Sequence, residues 1–350
     1  MKKNTNKWLI AFSFVFYIFA IVLMIVGSFK DLQITVSLYN PENLFAQLFE
    51  NFSVFVYWAI WGPAFTIIFL CRRDLNESLA VIHKITPAIK PIKNTEHKSY
   101  KIFNILLKII TTVGFFVLAV IGWKKLIENV LKNILLMADK DNMSQTFYFI
   151  VSAVCAVIAI LLCSKIDKTK LRKIEALALA GVLFGIFIKI IEELKPITSR
   201  VRVREMIAYS NGFLNEEGMS EGRYSPLTKA MASSTDFSAY TPWYKIGDDM
   251  GIYNRADSFP SGHTSCSCAS FLLCLVTLTY DKLKKFAPLA WIVSFAYVLT
   301  VGFSRMIAGA HYLTDVAGAA IIAYSFFLIV YKLYCSFTEK GVIGERLNCR

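Results

Sequence analysis

The chain has 350 residues, of which 56% are hydrophobic and 18% charged, and its formal net charge is +13. This composition excludes an ordinary water-soluble domain, because too few polar side chains remain to cover the surface of one. A nucleic-acid partner is not expected either, since the basic residues concentrate in the segments between apolar runs, as they do in membrane proteins.

Apolar runs close to the roughly 20 residues that a helix needs to cross the hydrocarbon layer recur along the whole chain. Inside a bilayer such runs must be helical, because no water is present to satisfy the backbone hydrogen bonds. The sequence therefore predicts an all-α, polytopic transmembrane helix bundle. Its eight expected spans lie at about 7–27, 53–71, 102–122, 147–163, 175–194, 264–280, 287–303 and 314–335.

Lysine and arginine set the expected orientation. They are dense at the N-terminus and in the segments 72–101, 165–173 and 282–285, and they are sparser in the alternate segments. Because positively charged loops stay in the cytoplasm, we expect a multi-pass protein of the cell membrane with both termini inside. The segments expected on the extracytoplasmic side are 28–52, 123–146, 195–263 and 304–313.

The spans divide the chain into four predicted parts. These are a transmembrane hairpin at 1–75, a basic cytoplasmic linker at 76–101, a core at 102–335 and a cytoplasmic tail at 336–350. The linker contains His83 and His97, to which we assign no role. The long polar segment 203–259 is expected to form a lid or wall at the outer face. Residues 126–137 have the spacing of an amphipathic helix, lying either in the outer interface or against the bundle.

Three separated stretches place unusual polar residues at the predicted outer face. They are Lys195 to Arg204 after the fifth span, Phe259-Pro260-Ser261-Gly262-His263 at the start of the sixth, and Ser304-Arg305 to His311 and Asp315 between the seventh and eighth. Lys195, Arg202 and Arg305 supply cations suited to the oxygens of a phosphate group. His263 stands at a helix N-terminus, where an anion is favoured, and Gly262 permits close approach of the backbone.

The two histidines have different expected roles. Asp315 follows His311 by one helical turn, so its carboxylate could orient the imidazole. We predict that His311 attacks phosphorus and that His263 protonates the leaving oxygen, then activates the water that hydrolyses the phosphohistidine. Two histidines and an aspartate could also suggest a metal site, but the neighbouring cations would repel a divalent ion. We therefore expect neither a metal nor a cofactor.

Lys-(six residues)-Arg, Pro-Ser-Gly-His and Ser-Arg-(five residues)-His-(three residues)-Asp resemble the three signatures of the type 2 phosphatidic acid phosphatase (PAP2) superfamily. The resemblance covers about 102–335 and implies a six-helix core with its site at the non-cytoplasmic face, preceded here by the two-helix hairpin. Val203 stands where the family usually has proline, which would only stiffen the loop. The phosphate-binding residues it implies are Lys195, Arg202, Ser261, Gly262 and Arg305. It implies that His263 is the acid, His311 the nucleophile and Asp315 its partner.

The expected function is that of a membrane lipid phosphatase acting on phosphate or diphosphate head groups. Polyprenyl diphosphate, phosphatidic acid and phosphatidylglycerol phosphate are the expected substrates, in that order. Two alternatives use the same residues. A phosphotransferase would hand the phosphoryl group from His311 to a lipid or sugar hydroxyl, and a non-catalytic protein would only bind a phospholipid.

Overall fold

The computed structural model describes residues 7–72, 98–131, 144–213, 227–245 and 257–339. Within these ranges the chain is all-α, with no β-strand and a single backbone bridge between Arg200 and Asp257. The α-helices are α1 (Lys7–Leu38), α2 (Leu44–Phe52), α3 (Phe55–Arg72), α4 (Lys98–Asn129), α5 (Gln145–Ser164), α6 (Lys168–Glu192), α7 (Lys195–Thr198), α8 (Val203–Ser210), α9 (Gly262–Ser267), α10 (Leu272–Thr279), α11 (Ala287–Ile307) and α12 (Leu313–Glu339). Short 3-10 helices occur at Lys229–Ser234, Cys268–Phe271 and Asp281–Phe286.

Eight helical stretches in this part of the chain are long and apolar enough to cross a membrane. Some of them combine successive helices, such as α6 with α7, or α9 and α10 with the 3-10 helix between them. The stretches are Lys7–Leu38, Leu44–Cys71, Lys108–Asn129, Gln145–Ser164, Lys168–Thr198, Gly262–Thr279, Asp281–Ile307 and Leu313–Glu339. The predicted all-α fold with eight spans is confirmed.

Helix α1 is longer than the predicted span, which ends at residue 27. Its first half carries a stripe of exposed apolar side chains that includes Ile10, Phe14 and Ile18, as expected for a surface in contact with lipid. In its second half the buried positions are Gly27, Asp31 and Thr35, which follow one another at four-residue spacing on one helix face. Because this buried face is polar, a hydropathy pattern does not reveal that the helix continues.

The chain separates into two compact units. The first consists of Met1–Val56, Ile186–Leu273 and Pro288–Leu328. Within it, α1 packs against the first part of α12. Phe16 stacks on Tyr324 with 4.1 Å between ring centroids, and hydroxyl pairs join Ser13 to Tyr324 and Tyr17 to Ser325, each at 2.8 Å.

The second unit consists of Tyr57–Gly185, Cys274–Ala287 and Ile329–Arg350. Two of its helices, α3 and α4, approach closely where glycines face tryptophans. A Cβ atom added at Gly62 would lie 2.8 Å from the Trp123 ring, and one at Gly122 would lie 2.9 Å from the Trp61 backbone. Small residues at such a crossing permit the close backbone packing that is common between membrane helices.

Several predicted features fall partly or wholly outside the described residues. The linker histidines His83 and His97 lie outside them. The predicted amphipathic helix starts within α4, and its last residues, 132–137, are not described. Of the predicted lid, the structure describes residues 203–213, which include α8, residues 227–245 and residues 257–259. The predicted division into hairpin, linker, core and tail remains a prediction.

Candidate active site

The three sequence stretches with unusual polar residues lie together within the first unit. Each pair of stretches is joined by a backbone hydrogen bond, in one case from Ser258 immediately before the second stretch, so their relative positions do not depend on long side chains. These bonds run from Ser258 N to the Arg200 carbonyl (2.9 Å), from Ser261 N to the Asp315 carbonyl (3.1 Å) and from Arg204 N to the Gly309 carbonyl (3.0 Å). The folded backbone itself therefore assembles the candidate site.

Ser261 begins the helix that carries His263. Its side-chain oxygen accepts hydrogen bonds from the backbone N–H and the hydroxyl of Thr264, at 3.4 and 2.9 Å, and it is completely buried. A serine in this position satisfies one of the backbone donors that a helix start leaves without a partner. The geometry thus gives Ser261 a capping role beside the phosphate-binding role that the resemblance implies.

Gly262 leaves room for the ammonium group of Lys195. A Cβ atom added at Gly262 would lie 2.7 Å from Nζ of Lys195 and 3.4 Å from its Cε. No larger residue could occupy this position without displacing the ammonium group. The first and second stretches therefore meet at a point where a cation lies directly against the start of α9.

His311 is buried, and its Nδ1 atom lies 2.7 Å from the carbonyl oxygen of Ser258. A carbonyl only accepts hydrogen bonds, so Nδ1 carries the hydrogen and the lone pair of the neutral ring is on Nε2. Burial lowers the pKa of His311 to about 4, against a smaller opposing effect of Asp315. The ring is therefore neutral at pH 7 and presents a nucleophilic Nε2.

Asp315 lies behind the histidine. Its Oδ2 atom is 3.7 Å from Nδ1 of His311, which is an ion-pair distance rather than a hydrogen bond. The same oxygen accepts hydrogen bonds from the Ser258 hydroxyl at 2.5 Å and from the Tyr312 backbone at 2.8 Å. The carbonyl of Ser258 orients the ring directly, and Asp315 fixes the Ser258 side chain and supplies negative charge close to the imidazole.

Arg202 and Arg305 are both buried, as expected for cations that serve a site rather than the surface. Nη2 of Arg202 lies 2.6 Å from Oδ1 of Asp257. Burial lowers the pKa of Arg202 to about 10, so the guanidinium still carries its charge at pH 7. Its Nε atom is buried and has no hydrogen-bond partner among the described residues. Such a donor suits an oxyanion ligand.

Sequence reasoning missed Glu50. This residue belongs to α2, in the predicted N-terminal hairpin, and its Oε1 atom lies 3.1 Å from Nη1 of Arg204 and 3.2 Å from Nη2 of Arg305. The electrostatic neighbours of His263 include Arg305, Glu50, His311 and Lys195. A carboxylate within an apolar N-terminal stretch is itself a signal of function, since membrane segments rarely retain acids without a role.

Sequence reasoning also missed Arg200 and Asp31. Arg200 is fully buried, and it contacts Asp315 at 2.5 Å and Asp31 at 2.8 Å. Burial acts to lower the pKa of Arg200, and the two carboxylates outweigh it, so the pKa lies above its ordinary value. Its position within the basic stretch after the fifth span was visible in the sequence, but its burial was not.

The candidate site thus contains two histidines and several cationic side chains near the first residues of α9 and α12. In the described part of the chain, no group of three or more histidine, cysteine, aspartate or glutamate residues could hold a metal ion. The absence of a metal and of a cofactor from the reaction remains a prediction. Chemically, the arrangement offers donors for an oxyanion and a nucleophilic nitrogen beside them.

Comparison with known proteins gives one match. Residues 215–338 match the PAP2 superfamily model, and this range contains His263, Arg305, His311 and Asp315. Lys195 and Arg202 lie before the matched range. Comparisons with curated proteins and with solved structures give no match. This match supports a phosphatase-type function on phosphoesters. The part of this membrane protein that carries both candidate catalytic histidines matches the PAP2 superfamily.

Proposed function

We propose that this protein is a membrane lipid phosphatase that hydrolyses phosphate or diphosphate monoesters through a phosphohistidine, without a metal. The observation that carries the proposal is the hydrogen bond from Nδ1 of His311 to the Ser258 carbonyl, which leaves the Nε2 lone pair available. The PAP2 superfamily match and the eight candidate spans support the same class of enzyme.

The proposed reaction has two steps. In the first, Nε2 of His311 attacks phosphorus, the bond from phosphorus to the lipid oxygen breaks, and His263 donates its proton to that oxygen. In the second, His263 takes a proton from water, the water oxygen bonds to phosphorus and the phosphorus–nitrogen bond breaks. Both histidines then return to their starting states.

The charge that develops on the phosphoryl oxygens is stabilised by cations, which we propose to be Lys195, Arg202 and Arg305. Arg202 and Arg305 are buried, and buried donors fixed by the fold act strongly on such charge, because they need no reorganisation when the reaction occurs. Asp315 stabilises the positive charge on His311 when the phosphohistidine forms. The backbone N–H of Gly262 and the Ser261 side chain complete the proposed phosphate contacts.

An amphiphilic substrate fits a site formed at the ends of membrane-spanning helices. We propose polyprenyl diphosphate first, then phosphatidic acid and phosphatidylglycerol phosphate. The distribution of lysine and arginine between the spans supports an extracytoplasmic site in the cell membrane. Vanadate, an impermeant oxyanion that imitates phosphate, tests this orientation: it should inhibit right-side-out vesicles at once and sealed inverted vesicles only after they are opened.

The decisive experiment offers each of the three lipids to the purified protein in detergent and measures released phosphate, with and without a chelator. His311→Ala is compared with Tyr17→Phe, which removes a hydroxyl contact elsewhere in the first unit. We expect release by the wild type and by Tyr17→Phe, no release by His311→Ala, and no effect of the chelator. No release from any lipid would refute hydrolysis, and loss of activity in chelator would refute the metal-free mechanism.

The same assay separates the two alternatives. Radiolabel that appears in an acceptor lipid or sugar instead of free phosphate would show a phosphotransferase. Lipid binding that survives His311→Ala, in a protein without turnover, would show a non-catalytic binder. Both outcomes contradict the proposal in distinguishable ways.

A further inference from the structure

We propose that Asp31, on the first membrane helix, is a positioning residue for the His311–Asp315 pair. The inference rests on the proposed function and concerns a part of the chain outside the PAP2 superfamily match. It assigns to α1 a task in catalysis, in addition to its place in the membrane.

The first contact is with the start of α12. Oδ1 of Asp31 accepts a hydrogen bond from the backbone N–H of Thr314 at 3.0 Å, and Oδ2 accepts one from the Thr314 hydroxyl. Thr314 is the second residue of α12, so its N–H is among the donors that a helix leaves without an internal partner. A carboxylate supplied by another helix thus caps α12, and its negative charge interacts favourably with the positive end of the α12 dipole.

The second contact runs through Arg200. Its Nη2 atom binds Oδ2 of Asp31 at 2.8 Å, and its Nη1 atom binds Oδ1 of Asp315 at 2.5 Å. The guanidinium is a rigid, planar fork, so it holds the two carboxylates at a fixed spacing. The Tyr312 ring lies 4.0 Å from its central carbon and covers one face.

Close packing of α1 supports the same conclusion. A Cβ atom added at Gly27, one turn before Asp31, would lie 2.6 Å from a methyl group of Thr314 and 3.2 Å from its backbone nitrogen. Glycine at this position lets the backbone of α1 reach the start of α12. The Asp31 carboxylate therefore reaches the Thr314 N–H directly, and its side chain is completely buried.

The charge balance explains how Asp31 acts on the reaction. Arg200 is shared between Asp31 and Asp315. When Asp31 loses its charge, Arg200 draws the Asp315 carboxylate more strongly and away from Ser258 and His311. The positive charge on His311 in the phosphohistidine is then less stabilised, which slows the chemical step. Phosphate binding by Lys195 and its neighbours changes little.

The test compares Asp31→Asn and Asp31→Ala with Tyr17→Phe. The asparagine keeps an acceptor for the Thr314 N–H and removes the charge, whereas the alanine removes both. The control loses a hydroxyl contact between α1 and α12 away from the site. Turnover is measured per folded enzyme, so that a loss of stability alone does not lower the value.

We expect Asp31→Asn to lower kcat by about tenfold and Asp31→Ala by about a hundredfold, the scale associated with small displacements of catalytic groups. KM should change by less than about threefold, since the binding cations are untouched. Tyr17→Phe should retain wild-type values. An unchanged kcat in both Asp31 variants, or a rise in KM without a fall in kcat, would overturn the inference.

A second readout needs no turnover. Nitrogen-15 spectra of histidine-labelled protein report the hydrogen on Nδ1 of His311, assigned by its disappearance in His311→Ala. We expect this signal to shift or broaden in Asp31→Asn and to stay unchanged in Tyr17→Phe. Wild-type protein that turns over no lipid would refute the proposed function alone, and this spectrum would still decide the role of Asp31. An unchanged spectrum in Asp31→Asn would refute that role.

Discussion

Nη1 of Arg200 lies 2.5 Å from Oδ1 of Asp315, and both side chains are completely buried. For a buried ion pair of this kind, the cost of removing one partner is much larger than the net stability that the intact pair adds. Removal of one partner leaves an uncompensated charge, which costs about 3–5 kcal/mol, although the intact pair itself adds little net stability. The resulting change in the free energy of unfolding can be measured without an activity assay.

The first prediction concerns Arg200→Met. The variant leaves the carboxylates of Asp315 and Asp31 buried without their shared cation, so the free energy of unfolding should fall by about 3–5 kcal/mol. Denaturant titration in detergent, followed by tryptophan fluorescence, measures this change. Lys170→Met, at an exposed position, is the control and should change stability by less than about 0.5 kcal/mol. Equal stability of the two variants would contradict the prediction.

The second prediction separates the two histidines. With an activated substrate such as p-nitrophenyl phosphate, the leaving group needs no protonation, so a His263→Gln variant should still phosphorylate His311. Without a base to activate water, the phosphohistidine should then accumulate. The measurement is acid-labile, alkali-stable radiolabel on the protein. The label should be present in His263→Gln and missing from the double variant with His311→Ala. Label that persists in the double variant would show a different nucleophile.

The third prediction concerns the protonation state of His311. Because burial lowers its pKa to about 4, the ring should remain neutral as the pH falls from 7 to 5, where an exposed histidine would become charged. A nitrogen-15 titration of histidine-labelled protein measures this, with His311→Ala to assign the signal. Half-protonation near pH 6.5 would mean that the ring is solvated, contrary to the structure.

The eight spans, which the structure confirms, depend on local pattern, and so do the signature residues, whose roles remain predictions. Span positions follow from apolar runs, and the signature residues from their fixed spacing. Asp31 and Glu50 were not predicted, because each lies more than 140 residues along the sequence from the arginine that it contacts. Only folding brings each pair together. The continuation of α1 beyond Gly27 was not predicted for a related reason: its buried face there is polar.

The direct partner of His311 was also beyond sequence reasoning. The four-residue spacing to Asp315 is visible in the chain and suggests a carboxylate that orients the ring. The Ser258 carbonyl is a backbone group, which no residue pattern identifies. Its position depends on the backbone hydrogen bond between Ser258 and Arg200, formed across the folded chain.

The fourth prediction uses Gly262→Ala. The new methyl group would lie 2.7 Å from Nζ of Lys195 and should displace that flexible ammonium group rather than the backbone. Loss of one charge-assisted hydrogen bond to phosphate costs about 1.5–3 kcal/mol, so KM should rise by at least about tenfold. Gly114→Ala is the matched control, because a Cβ atom there meets nothing within 4 Å. The measurement is the KM of both variants from steady-state kinetics. An unchanged KM in Gly262→Ala would exclude Lys195 as a phosphate ligand.

The last prediction concerns Glu50→Gln. The Glu50 carboxylate binds Arg305 and should repel an incoming phosphate, because two like charges about 10 Å apart repel by roughly 1.7 kcal/mol at an effective dielectric constant near 20. Removing the charge should therefore lower the inhibition constant of inorganic phosphate by about tenfold.

Glu205→Gln is the matched control for this variant. Its carboxylate lies 3.6 Å from Nε of Arg204, whereas that of Glu50 lies 3.1 Å from Arg204 and 3.2 Å from Arg305. The same loss of charge should therefore change phosphate inhibition less than in Glu50→Gln. Stability is measured in parallel, since both variants remove charge from buried pairs. Weaker inhibition in Glu50→Gln would reverse the interpretation: Glu50 would then align Arg305 for phosphate, and its charge would promote binding rather than oppose it.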